Sequence, residues 1–358
     1  MEYNKWLKDM NLGHPLTIAG PCSAETEEQV MDIAGQLMDS KATIFRAGVW
    51  KPRTRPGSFE GVGEKALPWL KRVKEETGLK VAIEVANLEH IKQALKYDID
   101  ILWIGARTTV NPFAVQEIAD ELKNTEKIIW VKNPVNPDLE LWIGAMERLM
   151  HAGIENIGVI HRGFSSYNSI QYRNPPNWQI PIDFRRKWPE IPMICDPSHI
   201  CGRRDTLEKV AQTALDLQYD GIMLETHSDP DNAWSDSKQQ ITPTVFKEII
   251  YRLIVRKESF TEDEYKDKLA LLRSEIDTLD MKLIEVLNER MQVVKEIGEV
   301  KKAQNVAVLQ KERFDEILNK MTLYGNKMGL NSDFINGIFK AIHMESIATQ
   351  ENIINDSL

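Results

Sequence analysis

Residues 101–124 read ILWIGARTTVNPFAVQEIADELKN. Ile101–Ile104 is a continuous apolar run, the signature of a strand buried on both faces. Gly105-Ala-Arg107 ends the run and sets a cation just past it, and Phe113–Asn124 then repeats apolar residues at helical spacing. This unit recurs on both sides. Further apolar runs are Leu16–Ala19, Thr43–Arg46, Lys80–Val85, Lys127–Val131, Asn156–Ile160, Met193–Cys195 and Gly221–Leu224, with helical stretches such as Glu27–Asp39, Leu88–Leu95, Leu139–His151 and Asp205–Leu217 between them. Eight strand–helix units in about 250 residues predict an α/β fold of the (β/α)8 TIM-barrel type. An open doubly wound sheet is the competitor, and the absence of GxGxxG after the first run counts against it.

Chemistry in such barrels sits at the C-terminal ends of the strands. Here those ends carry, in order, Cys22, Arg46, Glu84, Arg107, Lys132, Arg162, Asp196 with His199, and Glu225. A random scatter of polar residues would not place one at every strand end.

The remainder of the 358 residues has a different character. All 16 prolines lie at or before Pro243, all nine tryptophans at or before Trp234, and only four of 19 glycines lie beyond Tyr251. From Tyr265 onward Leu269, Leu272, Ile276, Leu279, Leu283, Leu287, Val294 and Ile297 step by threes and fours or sums of them, predicting one helix over about Glu262–Lys302. Two more follow, near Gln310–Lys327 and Ser332–Asn352. The expected organisation is a barrel over 1–255, a linker over 256–263 and an all-α three-helix domain over 264–358. A helix that long cannot hide its apolar stripe alone, so a homodimer through the helical domain is expected.

Composition narrows the function. A net charge of −9 argues against nucleic acid and anionic membranes, which require basic surfaces. No apolar run approaches the roughly 20 residues of a membrane span, the N-terminus lacks a signal-peptide layout, and three cysteines make no disulfide framework. A cytoplasmic protein is expected.

Arg46, Lys51, Arg107, Lys132 and Arg162 converge at strand ends, with the stiff loop Lys51-Pro-Arg-Thr-Arg-Pro56 beside them. Clustered cations in an acidic protein imply a small, multiply anionic ligand, two phosphates plus a carboxylate rather than one phosphate. Cys22, His199, Glu225 and Asp236 form a mixed sulfur, nitrogen and oxygen set suited to one divalent metal, with Mn, Fe, Co and Zn all compatible. His161 fits either substrate contact or packing.

The ordered motifs Ala19-Gly-Pro-Cys-Ser23, Arg46-Ala-Gly48, Lys51-Pro-Arg-Thr54, Ile104-Gly-Ala-Arg107, Asp196-Pro-Ser-His199 and Glu225-Thr-His227 with Ser235-Asp236 resemble 3-deoxy-D-arabino-heptulosonate 7-phosphate (DAHP) synthases of the type I beta group that lacks an N-terminal extension. The resemblance covers about residues 1–255. It implies condensation of phosphoenolpyruvate with erythrose 4-phosphate, with metal ligands Cys22, His199, Glu225 and Asp236. It assigns Arg46, Lys51, Arg107, Lys132 and Arg162 to phosphoenolpyruvate, Lys51 and Lys132 being catalytic, and Arg53 and Thr54 to the sugar phosphate. A synthase using arabinose 5-phosphate shares several motifs but usually lacks Lys-Pro-Arg-Thr. Two departures are Lys132-Asn-Pro134 for the family's Lys-Arg-Gly and His161-Arg-Gly163 for Glu-Arg-Gly.

On the long helix, Arg290 and Lys301 interrupt the apolar stripe 11 residues apart, about 20° of rotation. Two cations on one inward face suggest an anion pocket. Arg273 lies about 100° further round and would more easily reach a partner chain. The pattern Arg273, Arg290, Lys301, Glu312, Ser346, Gln350 resembles the all-helical chorismate mutases over about residues 265–352. That resemblance implies chorismate-to-prephenate rearrangement without a cofactor. Arg273 of the other subunit and Arg290 would hold carboxylates, Lys301 and Gln350 would face the breaking ether oxygen, Glu312 would hold the ring hydroxyl, and Ser346 would complete the site. Lys311 stands where the family often has Arg, and Val308 where it has Asp. The alternatives are a catalytically weak sensor of chorismate or prephenate, or a dimerisation bundle whose seam residues set register.

Overall fold

The computed structural model describes residues 3–10, 13–52, 57, 59–167, 171–257 and 263–355. The chain divides into two compact units, residues 1–258 and 259–358.

In the first unit eight parallel strands close in sequence order, β1 (Leu16–Gly20), β2 (Ile44–Arg46), β3 (Lys80–Val85), β4 (Ile101–Ile104), β5 (Ile128–Lys132), β6 (Ile157–His161), β7 (Met193–Cys195) and β8 (Gly221–Glu225). Closure is set by β1 against β8, with Leu16 opposite Gly221 and Gly20 opposite Glu225. Each expected strand lies within one residue of an observed one. Because side chains alternate along a strand, each apolar run feeds two cores. Leu16, Ile18, Ile44, Ala82, Ile101, Trp103, Trp130, Ile160, Ile194 and Met223 fill the inside of the barrel. Thr17 apart, the intervening residues of β1 and β4, such as Ala19, Leu102 and Ile104, pack under the surrounding helices. Trp6, on the helix Lys5–Met10, joins the inner core at the N-terminal end, where its Nε1 donates to the Ile157 carbonyl at 2.8 Å.

Helix starts are fixed chemically. Thr26, Asn87, Asn111, Asp138 and Thr242 each accept a backbone N–H of the helix that follows. The helices Leu67–Thr77, Gln179–Lys187 and Pro243–Arg252, not singled out in the sequence, complete the outer ring.

The second unit has the long helix Asp263–Gln304, then Lys311–Lys327 and Ser332–Asn355. Close approach between helices falls at small residues: a Cβ on Gly298 would meet Ile353 at 3.0 Å, and one on Gly325 would meet Ile335 at 2.6 Å. The stripe Leu272, Ile276, Leu279 and Leu283 is exposed in the single chain. Among the described residues no helix is long and apolar enough to cross a membrane.

All nine tryptophans lie in the first unit, so tryptophan fluorescence reports on the barrel alone. Trp142 is fully buried and packs on Phe184 at 4.5 Å. Trp142→Ala is expected to cost the barrel about 3–5 kcal/mol, read as a lower midpoint in urea unfolding followed by the remaining tryptophans.

Candidate functional site

The alternation that fills the barrel also aims its chemistry. Two residues beyond the inward Ile44, Ala82, Trp130, Ile160, Ile194 and Met223 stand Arg46, Glu84, Lys132, Arg162, Asp196 and Glu225. All six therefore point into the top of the barrel. Trp103 floors this layer, 5.2 Å from the Arg46 guanidinium and 5.4 Å from Lys132 Nζ. Its Nε1 donates to Glu84 at 3.0 Å.

Two of the buried cations here are paired with carboxylates, and Arg162 donates to the Gly163 carbonyl instead. Arg46 Nη1 donates to Glu225 Oε1 at 2.6 Å, and Lys132 Nζ to Asp196 Oδ2 at 2.9 Å. Asp196 also lies 2.8 Å from His199 Nδ1. Burial alone would raise the Asp196 carboxyl, yet His199 and Lys132 hold it well below its usual range. Burial brings the Arg162 guanidinium down to about 10, with Arg173 and Arg107 adding like charge. Arg107, more exposed, stands at the start of the short helix Ala106–Thr109.

Three of the four expected metal ligands meet. A Cys22 sulfur, a Glu225 oxygen and an Asp236 oxygen all lie within 4.8 Å of one another. His199 falls outside that trio but brings Nε2 to 3.8 Å from Glu225 Oε1. Lys51 Nζ donates to the Cys22 sulfur and carbonyl, each at 2.8 Å. Burial, with Glu225 beside it, pushes the Cys22 thiol up to about 12. A divalent cation would reverse that shift, because a coordinated thiol gives up its proton. One thiol, one imidazole and two carboxylates around a buried space flanked by cations fit such an ion. Arg53 and Thr54 lie outside the described residues.

Close approach explains the glycine of the Gly-Pro-Cys motif. Gly20 has φ +141°, and a Cβ there would lie 2.1 Å from the Arg46 carbonyl.

Both departures from the family pattern have structural roles. Asn133 is fully buried, its Oδ1 accepts the Arg162 N–H at 2.7 Å, and its Nδ2 donates to the Gly163 and Pro134 carbonyls at 2.8 Å. It thus ties the end of β5 to the backbone that presents Arg162. His161 Nε2 lies 2.7 Å from the Pro176 carbonyl and its Nδ1 3.0 Å from the Tyr219 hydroxyl. A ring that donates to the carbonyl and accepts from the hydroxyl is neutral, and burial brings its pKa to about 3. His161 is a packing residue.

Sequence reasoning missed Arg173, which donates to Asp236 at 3.0 Å and to Gln239 at 2.9 Å. It also left Asp196 unassigned, although the step of two from the inward Ile194 marks it.

In the second unit three helix faces enclose a cavity of about 240 Å³. The long helix gives Arg290, Val293, Val294, Ile297 and Lys301, the middle helix with its N-cap gives Gln310, Arg313, Phe314 and Ile317, and the last helix gives His343, Ser346, Ile347 and Gln350. Each set steps by threes and fours, as one face of a helix must. Arg290 donates to Ser346 Oγ at 2.8 Å, and Lys301 to the Val308 carbonyl at 2.6 Å. Partial burial lowers the pKa of both cations. Glu312 is exposed and does not line the cavity. It lies about 150° round the helix from the centre of the Gln310, Arg313, Phe314 and Ile317 face. Arg273 is exposed in the single chain.

Residues 11–259 match the family described as DAHP synthetase I, and residues 272–351 match chorismate mutase type II. The phospho-2-dehydro-3-deoxyheptonate aldolase of Thermotoga maritima is 30% identical over 241 residues, covering 67% of this chain and 69% of its own. A 2-dehydro-3-deoxyphosphooctonate aldolase of Desulfatibacillum aliphaticivorans is 28% identical over 277 residues, covering 69% and 93% respectively. The crystal structure of the Thermotoga maritima aldolase, a DAHP synthase, is similar with a TM-score of 0.60 at 30% identity, over 66% of this chain and 67% of that one. The chain thus belongs to the DAHP synthetase I family and continues into a type II chorismate mutase domain.

Proposed function

We propose that the barrel performs a metal-dependent condensation of phosphoenolpyruvate, erythrose 4-phosphate and one water to DAHP and phosphate, and that the helical domain converts chorismate to prephenate. What carries the first half is the meeting of Cys22, Glu225 and Asp236 beside Lys51 and the Arg46–Glu225 pair. The second half rests on Arg290 and Lys301 sharing one cavity with Ser346 and Gln350. The Desulfatibacillum relative favours a longer sugar phosphate as a second reading, and Lys51-Pro-Arg-Thr54 supports the four-carbon one.

Two multiply charged anions repel, and holding both side by side requires fixed cations in a site sheltered from water. Lys132, Arg162 and Arg107 hold the phosphoenolpyruvate phosphate and carboxylate deep in the barrel, with Asp196 fixing Lys132. Lys51 stands over Cys22, between the two reactants. Bound by Cys22, His199, Glu225 and Asp236, a divalent metal supplies Lewis-acid polarisation of the sugar aldehyde. Arg173 orients Asp236. In the bundle no nucleophile is needed. Arg290 binds a carboxylate and Lys301 donates to the oxygen that gains charge.

The exposed stripe Leu272 to Leu283 and the outward Arg273 support a homodimer in which Arg273 completes the partner's mutase site. We place the enzyme in the cytoplasm, where its phosphorylated substrates are made. Binding of chorismate or prephenate in the bundle is further proposed to inhibit the synthase as feedback.

Chelation with EDTA is expected to abolish DAHP formation and one added divalent ion to restore it, whereas Cys22→Ala recovers under no metal. Arg273→Ala and Lys301→Ala should each lower prephenate formation at least 100-fold, a few kcal/mol of transition-state stabilisation. Refolded together in equal amounts they should regain about a quarter of the wild-type rate, since half the dimers are mixed and each of those has one complete site. Saturating prephenate or chorismate should reduce synthase velocity, and an unchanged velocity removes the feedback claim.

A further inference from the structure

The mutase reading leaves one group of its substrate without a partner. Glu312, the residue implied for the ring hydroxyl, faces away from the cavity, and Phe314 stands on the lining face instead. Among the described lining residues two buried side-chain atoms have no hydrogen-bond partner, Gln350 Oε1 and His343 Nε2. Gln350 is taken up by the ether-oxygen end of the site, so His343 is left.

We propose that His343 recognises the ring hydroxyl of the substrate through its unpartnered Nε2. The assignment rests on the mutase reading of the same cavity. His343 sits on the lining face of the last helix, three residues before Ser346 and seven before Gln350. Its ring stacks on Phe314 with centroids 3.9 Å apart and planes 18° from parallel, which holds the plane of the ring.

The chemistry suits the task. A hydroxyl both donates and accepts, and a neutral imidazole does the same, whereas a carboxylate only accepts. Burial, with Arg290 and Lys301 nearby, lowers the His343 pKa and keeps the ring neutral. A neutral group does not compete with the substrate's carboxylates for those two cations; a glutamate in its place would. A buried polar atom left unpaired costs free energy, and a bound hydroxyl relieves that cost.

The test uses the full chain, with prephenate formation measured for wild type, His343→Phe and His343→Gln, on chorismate and on an analogue lacking the ring hydroxyl. His343→Phe keeps a ring against Phe314 and removes both nitrogens. It is expected to lose about tenfold in kcat/KM on chorismate, the worth of one buried hydrogen bond, and less than twofold on the analogue. His343→Gln should recover part of the loss on chorismate only. Equal losses on both substrates, or no loss on chorismate, would overturn the assignment and leave the mutase reading standing. A wild-type chain that forms no prephenate would overturn both.

Discussion

The ion pair between Arg46 and Glu225, 2.6 Å apart with both side chains buried, is the constraint around which the first unit is arranged. Neither charge could stand alone inside the barrel, since an unpaired buried charge costs several kcal/mol. Their pairing needs the C-terminal end of β2 to face that of β8 across β1, and Gly20 is what lets β1 pass closely enough. The pair also joins two tasks. Arg46 belongs to the cations expected around a phosphorylated substrate, and Glu225 to the trio expected around a metal.

The two units solve the problem of binding anions in different ways. In the barrel, cations come from several strands and are neutralised by buried carboxylates, Lys132 by Asp196 and Arg46 by Glu225. In the bundle, among the described residues, Arg290 and Lys301 have neutral partners, the Ser346 hydroxyl and Met291 sulfur for the first and the Val308 carbonyl for the second. The bundle's two cations therefore have no carboxylate to leave for a ligand, whereas Arg46 and Lys132 in the barrel are already committed to one.

Much of this was legible in the chain because closed parallel barrels bury strands on both faces. A strand such as Ile101–Ile104 then shows as a plain apolar block between loops, and its bounds are hard to misread. The step of two to Arg46, Lys132, Arg162 and Glu225 follows from the same geometry. Pairings across the barrel were not legible. Lys132 and Asp196 are 64 residues apart, and only the curvature of the closed sheet brings β5 and β7 to a common centre. Glu312 went astray for another reason, because it was carried over from the family pattern with no helix angle counted. The faces of three helices, counted by angle, point to Gln310, Arg313 and Phe314 instead. His343 escaped notice since a histidine at a lining position looks like core until its unpaired nitrogen is seen.

Trp6 adds a consequence of a different sort. With its indole wedged among the inner side chains and bonded to Ile157, the barrel is stopped at one end and open at the other. Lys132 and Asp196 are buried over Trp103, while Lys51 and Asp236 are only half-buried. On the proposed condensation, the reactant resting on Trp103 arrives before the one that covers it and leaves after it, so the closed end of the barrel would set an order in time that the chemistry alone does not.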